Sequence, residues 1–378
     1  MDLVVVGAGF YGLTVAFQAA QKGQQVLVIE KRNSLGGNAH SYLDNITGIE
    51  IHKYGSHLFH TSNARTWEFV NKFSSFNNYR HKVFTQHKNR IYSLPINLHT
   101  INQFFSSNYS PEEARKHLSN SKKHISETDQ NAESRALSLL GNDLYQAFYK
   151  GYTQKQWQID PKLLPAEIIS RLPVRFDYNS DYFNDKWQGL PTDGYHKLFE
   201  RMINHDLITI ALGQDFFETK SRYSRERIVG QVPIVYTGPI DLYYNYCFGQ
   251  LSWRTLDFVF EYHDQRDFQG TSVMNYADLD QPFTRIHEFK HLHPERSHLM
   301  ELQKTIIAKE YSRLASMEDE PYYPVNSAID REKYLCYRNL GRNEKEVYFG
   351  GRLGSYRYLD MHMAIGAALT FSDNLKLR

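Results

Sequence analysis

Leu3-Val4-Val5-Val6-Gly7-Ala8-Gly9-Phe10-Tyr11-Gly12 opens the chain, and Val26-Leu27-Val28-Ile29-Glu30 follows it. The order predicts strand, glycine turn, helix, strand and acidic cap, which is a dinucleotide-binding βαβ unit. Gly7 permits the tight turn, Gly9 lets a pyrophosphate approach the backbone beside Phe10, and Gly12 lets the helix pack closely on the strand. The free N–H groups and positive dipole end of that helix suit phosphates. Glu30 lies 18 residues after Gly12, where a carboxylate can accept both ribose hydroxyls. The second strand runs on through Lys31 to Gly36-Gly37-Asn38, so a glycine pair brings backbone close to the cofactor a second time. That pattern favours FAD in an extended pose over NAD. No second GxGxxG occurs, so no NAD(P)H module is evident to feed a flavin with hydride.

The 378 residues are enough for two or three domains, and 41% hydrophobic with 23% charged residues is a soluble globular balance. A net charge of +2 offers no general field for nucleic acid. No apolar run approaches the roughly 18 residues of a membrane helix. The N-terminus enters a strand, which excludes a signal peptide. Cys247 and Cys336 neither frame a secreted fold nor sit at metal-ligand spacing, so a reducing cytoplasm is expected. The 27 tyrosines offer flat apolar faces with hydrogen-bonding tips, useful against nucleobases and sugars.

Beyond the opening unit, residues 80–96 alternate like short strands. Ser110-Pro111-Glu112-Glu113 starts a helix with a capping box, and Leu137, Leu140, Leu144 and Phe148 recur at helical spacing. Residues 194–205 read as helix, and 232–239 as a buried strand returning to the nucleotide-binding unit. Runs near 253–262, 270–277, 284–290 and 304–312 predict an antiparallel sheet. The expected fold class is α/β. Residues 1–75, 194–242 and 330–378 form a Rossmann-like FAD-binding domain, 98–164 an inserted helical domain, and 76–97, 165–193 and 243–329 an antiparallel-sheet substrate domain.

Several long runs stand in a recognisable order: Gly7 to Phe10, Gly36-Gly37-Asn38, His52 to Thr61, Ser93 to Leu98, Gly151 to Trp157, Arg171 to Arg175, Lys309 to Arg313, Pro321 to Pro324, and Gly351 to Met361. On these runs the chain resembles bacterial UDP-galactopyranose mutase over nearly its whole length. The resemblance implies a three-domain FAD protein, usually a homodimer, that interconverts UDP-galactopyranose and UDP-galactofuranose and supplies galactofuranose for cell-surface glycans. It implies a reaction without net redox change that still requires reduced FAD. Flavin N5 attacks the anomeric carbon, UDP is displaced, and the sugar opens as an iminium adduct before it recloses as a furanose.

The resemblance also implies site residues. Arg175 and Arg313 are expected to grip the diphosphate, Arg175 from a mobile loop. Tyr152 is expected to stack on uracil with Phe148 on the same helix face, and Thr153 and Trp157 lie in the same cleft. Tyr182, Tyr323 and Tyr358 are expected to touch the diphosphate or sugar. His57 is placed nearest the flavin and sugar, with Arg352, Tyr358, Asp360 and Met361 as further cofactor contacts. Tyr356, Tyr358 and Asp360 share one side if that stretch is extended, and Asp360 also stands where it can cap the last helix. His57 and His60 are not read as metal ligands, because no carboxylate or cysteine completes a set near them in sequence. A flavin oxidoreductase such as an amine oxidase shares the N-terminal fingerprint and is the alternative from another class. An idle nucleotide-sugar binder is a third, disfavoured by the retained arginines and tyrosines.

Overall fold

Leu3–Val6 and Val26–Glu30 are buried along their whole lengths. Apart from the terminal Glu30, both are continuous apolar runs without alternation, as parallel strands covered on both faces require. They form the centre of a five-stranded parallel sheet in the order Val347–Phe349, Ile234–Tyr236, Leu3–Val6, Val26–Glu30, Ile208–Leu212. The structure is a computed structural model that describes residues 1–121, 131–169 and 174–375. All five strands come from the segments 1–75, 194–242 and 330–378. The helices Phe10–Gln21, Tyr195–Ile203 and Met361–Asn374 bury their apolar faces against this sheet and one another in the largest core cluster.

A seven-stranded sheet runs in the order Tyr323–Pro324, Trp253–His263, Thr305–Leu314, Arg285–Glu288, Val273–Tyr276, Val83–His87, Arg90–Leu94. It is antiparallel except where Val273–Tyr276 meets Val83–His87 in parallel. Those two strands come from distant parts of the chain, so no tight turn imposes the antiparallel sense on them. The expected all-antiparallel sheet is corrected at that pair. Among the described residues of 165–193 none forms a strand of this sheet; Trp187–Gly189 pairs instead with Phe59–Thr61.

Among the described residues of 98–163 the regular elements are helices. The Ser110 box forms: Ser110 N–H donates to Glu113 at 2.8 Å and Glu113 N–H to the Ser110 hydroxyl at 3.3 Å. Gly141 takes a non-helical φ of 75° and kinks Ala132–Leu144. A wider π-turn, Tyr145–Lys150, then leads into Gly151–Trp157. Lys155 fixes that last helix to the second sheet, because its ammonium donates to the carbonyls of Tyr276, Asp278, Gln281 and Phe283 at 2.7–3.0 Å. The part of the Arg171 to Arg175 run before Val174 lies outside the described residues.

Candidate active site

The strands of the parallel sheet end at a cavity of about 300 Å³. Such a crevice, outside the carboxyl ends of parallel strands, is where this architecture takes its cofactor. Gly7, Gly9, Phe10, Gly12, Glu30, Lys31, Gly37, Asn38, His57, Arg352 and Met361 line it. Gly9 is extended at φ −80°, and a Cβ built on it meets nothing within 4 Å, so the turn leaves an open cradle there. Glu30 is buried; its two oxygens accept the Ala8 and Arg32 amides at 2.8 and 2.9 Å. The carboxylate thus braces the glycine turn and keeps further lone pairs for a ribose. These residues fit a dinucleotide whose pyrophosphate crosses Gly9.

A second cavity of about 410 Å³ meets the first at His57, Arg352 and Met361, which line both. Phe148, Tyr152, Thr153, Trp157, Tyr182, Tyr323, Tyr358 and Asp360 line its walls. Tyr358 and Asp360 lie on this side alone. Tyr356 does not join them: its backbone turns to φ 43°, its hydroxyl donates to the Ser252 carbonyl at 2.7 Å, and its ring packs on Trp253. The stretch is therefore a turn and not extended, which corrects the expected alternation.

Neither expected arginine lines this cavity. Arg313 bonds Asp257 at 2.7 Å and Asp319 at 2.6 Å, with its side chain 40% exposed. Side chains alternate along a strand, so Glu310 and Arg313, three apart on Thr305–Leu314, must face opposite sides. Glu310 lines the cavity and Arg313 points away from it. Arg175 is buried in its own loop, donating to the carbonyls of Asn179 and Asp181 and to the Asn184 side chain. Because an exposed ion pair is worth about 0–1 kcal/mol, Arg313→Ala is expected to keep kcat/KM within about twofold of wild type. A tenfold loss in steady-state kinetics would return Arg313 to the site.

Two cations line the cavity, Arg352 at its junction with the first and Arg285 on the opposing sheet. Arg285 is the one paired with a buried carboxylate. It stands opposite Glu310 in register on adjacent antiparallel strands. Its Nε lies 3.2 Å from the Glu310 carboxylate, and its guanidinium donates to the Tyr152 hydroxyl. The Glu310 carboxylate also accepts from the Thr284 hydroxyl at 2.8 Å and from His287 Nε2 at 3.1 Å. Burial alone would raise the Glu310 carboxyl, but the Arg285 charge and the His287 bond outweigh it and hold it near 2. His287 is itself kept below its ordinary value by burial, so it is neutral at pH 7. Its Nε2–H then serves Glu310, and its Nδ1 accepts the Ser56 hydroxyl at 2.8 Å. A continuous chain of bonds thus runs from the turn beside the first cavity to Arg285 on the wall of the second.

His57 is held by its own turn. Nδ1 donates to the Gly55 carbonyl at 2.7 Å, which leaves Nε2 as an acceptor. Burial, with the charge of Arg352, lowers the imidazole to about 4. Arg352 donates to the carbonyls of Leu359 and Tyr322, bracing the two segments that carry Tyr358 and Tyr323. The sequence reading missed Arg285, Glu310, His287 and His81, all on the cavity wall. The available signal was charge inside strand patterns: Arg285 and His287 share one face, and Glu310 continues the strand run Thr305-Ile306-Ile307-Ala308-Lys309.

The UDP-galactopyranose mutase family profile matches residues 147–358, and that of an NAD(P)-binding Rossmann-like domain matches 5–73. The chain is 42% identical to a probable UDP-galactopyranose mutase of Klebsiella pneumoniae, across 98% of this chain and 94% of that one. It is 40% identical to a dTDP-fucopyranose mutase of Escherichia coli, across 97% and 96%. Its fold matches the crystal structure of a reduced UDP-galactopyranose mutase with a TM-score of 0.77 at 14% identity, covering 99% of this chain and 93% of that one.

Proposed function

Because this chain belongs to the UDP-galactopyranose mutase family and its cofactor is FAD, we propose that it interconverts UDP-galactopyranose and UDP-galactofuranose in the second cavity. One observation carries the placement: Arg285 stands on the wall of a cavity that joins the cofactor cradle at His57, Arg352 and Met361. When bound, reduced FAD supplies the nucleophile and the electrons for a ring contraction without net redox change. The protein's own task is to hold UDP while it is detached, orient the sugar at the junction and keep water out.

In this reading Arg285 takes the diphosphate, with Tyr182 and Tyr323 as hydroxyl partners. Its fork suits phosphate oxygens and stays charged through the reaction. Arg175 becomes a second phosphate ligand once its loop releases the Asn179, Asp181 and Asn184 acceptors. Phe148, Tyr152 and Trp157 form the uracil platform, with Thr153 beside them, worth about 1–3 kcal/mol for one stacked base. His57, Tyr358 and Asp360 surround the sugar. A neutral His57 offers an acceptor there without adding positive charge near the departing diphosphate. Val83, Leu94, Ile169 and Val273 supply apolar wall that excludes water. The reading extends to a homodimer in the cytoplasm that supplies galactofuranose to cell-surface glycans, built on the three-unit division of the chain given above.

The 40% identity to a dTDP-fucopyranose mutase supports a second reading, in which the nucleotide is dTDP and the sugar a 6-deoxyhexose. Chromatography of product from FAD-loaded protein with dithionite decides between them. The expected result is conversion of UDP-galactofuranose at least about tenfold more efficiently than of dTDP-fucofuranose, a difference of about 1.4 kcal/mol in transition-state binding. The reverse order moves the assignment to the second reading. Oxidation of substrate with oxygen uptake removes both.

A further inference from the structure

His60, Asp360 and His362 are far apart in sequence, yet each offers a ligand atom within 4.8 Å of the other two. His60 lies on strand Phe59–Thr61, Asp360 precedes the last helix, and His362 is in that helix's first turn. No carboxylate was expected to complete a set near His60; the fold brings Asp360 beside it.

Each group is arranged as a ligand would be. His60 Nδ1 donates to the Asp185 carboxylate at 2.6 Å, and Asp185 is held in turn by the Ser62 hydroxyl at 2.8 Å. That bond fixes the tautomer and leaves the Nε2 lone pair of His60 available. A carboxylate behind the imidazole is the usual support of a metal-bound histidine. Phe183 stacks on the His60 ring at 3.7 Å and fixes its plane. Asp360 occupies the N-cap position of Met361–Asn374, yet its side chain accepts no cap bond. The carboxylate is thus not spent where its position alone would spend it. It accepts from Tyr358 and keeps further lone pairs. The His362 ring approaches that of His60 edge-on at 4.6 Å between centroids.

We propose that His60, Asp360 and His362 form a binding site for a divalent first-row transition metal, zinc being the probe of choice, with the open coordination position toward the second cavity. Two imidazoles and one carboxylate are a known three-ligand set for zinc. His60 and Asp360 line the cavity that the nucleotide sugar is proposed to enter. A bound cation would occupy the sugar end and compete with substrate. This consequence rests on the proposed function; metal binding itself does not.

The test is calorimetric titration of the FAD-loaded protein with zinc chloride, repeated on His362→Ala, His362→Asn and His291→Ala. The last variant breaks the other three-residue set placed to hold a metal ion among the described residues, Asp267, Glu288 and His291. FAD content reports folding of each variant. Wild type and His291→Ala are expected to bind one equivalent that both His362 variants lack. In the mutase assay, zinc is expected to raise KM roughly fivefold or more at unchanged kcat in wild type, reversibly with EDTA, and to leave His362→Ala unaffected. The site is overturned if the His362 variants bind as many equivalents as wild type, or if wild type binds none at millimolar zinc. Binding without inhibition retains the metal site and removes its overlap with substrate.

Discussion

Arg285→Ala is expected to lower kcat/KM for the nucleotide sugar by about 10- to 150-fold, the equivalent of a charge-assisted contact of about 1.5–3 kcal/mol. The same substitution strands Glu310, which is 2% exposed and loses its cation. Breaking a buried pair from one side costs about 3–5 kcal/mol of stability, so the alanine variant alone would confuse folding with binding. Arg285→Lys separates them. A lysine keeps a positive charge near Glu310 but loses the fork that spans two phosphate oxygens. The lysine variant is therefore expected to melt close to wild type and still lose about tenfold in kcat/KM.

The pH dependence of stability carries the same signature. The folded Glu310 carboxyl is held near 2 against an ordinary 4.5, so its contribution is full above 4.5 and is lost as pH falls toward 2. In Arg285→Ala the carboxyl is held down only by His287 and Thr284, so this acid loss should shrink in denaturation curves across that window. If Arg285→Ala and Arg285→Lys both keep wild-type kinetics, the diphosphate is not held here.

Gly9→Val is expected to fold and lose its flavin, whereas Gly12→Ala is expected to lose the fold. A Cβ on Gly12 would lie 2.0 Å from the Gly7 carbonyl oxygen and 3.1 Å from Val5. Backbone cannot give way there without moving the helix off the strand, and overpacking of this kind costs about 1–3 kcal/mol or more. Gly9 differs. Its extended backbone suits any residue, and a Cβ there points into open space on the wall of the first cavity. A valine would stand where the pyrophosphate must pass. The expected outcome is cooperative melting of a colourless protein with FAD affinity reduced at least about tenfold, about 1.4 kcal/mol. Full flavin loading of Gly9→Val would place the pyrophosphate elsewhere.

The parallel sheet was legible because local patterns and tertiary demands agree there: a buried strand, a glycine turn and a second buried strand carry their own signals. The tyrosines on the cavity wall were legible through family motifs. Which way the charged members of those motifs face was not, and the reason is geometric. A motif names a run of residues, but on a strand only alternate members face one way, so Lys309 to Arg313 delivered Glu310 to the cavity and Arg313 to its outer surface. Arg285 was hidden inside a run read only as strand, because its partner Glu310 is 25 residues away and meets it through sheet register. His362 was hidden likewise, since nothing near it in sequence foretells His60.

The central claim is that the cavity joined to the flavin cradle isomerises a nucleotide sugar without consuming electrons. Counting product formed per electron pair supplied, with FAD-loaded protein reduced by a limiting amount of dithionite under anaerobic conditions, tests it most directly. Many molecules of UDP-galactopyranose from UDP-galactofuranose per electron pair is the predicted result. A single oxidised or reduced product per electron pair would contradict it.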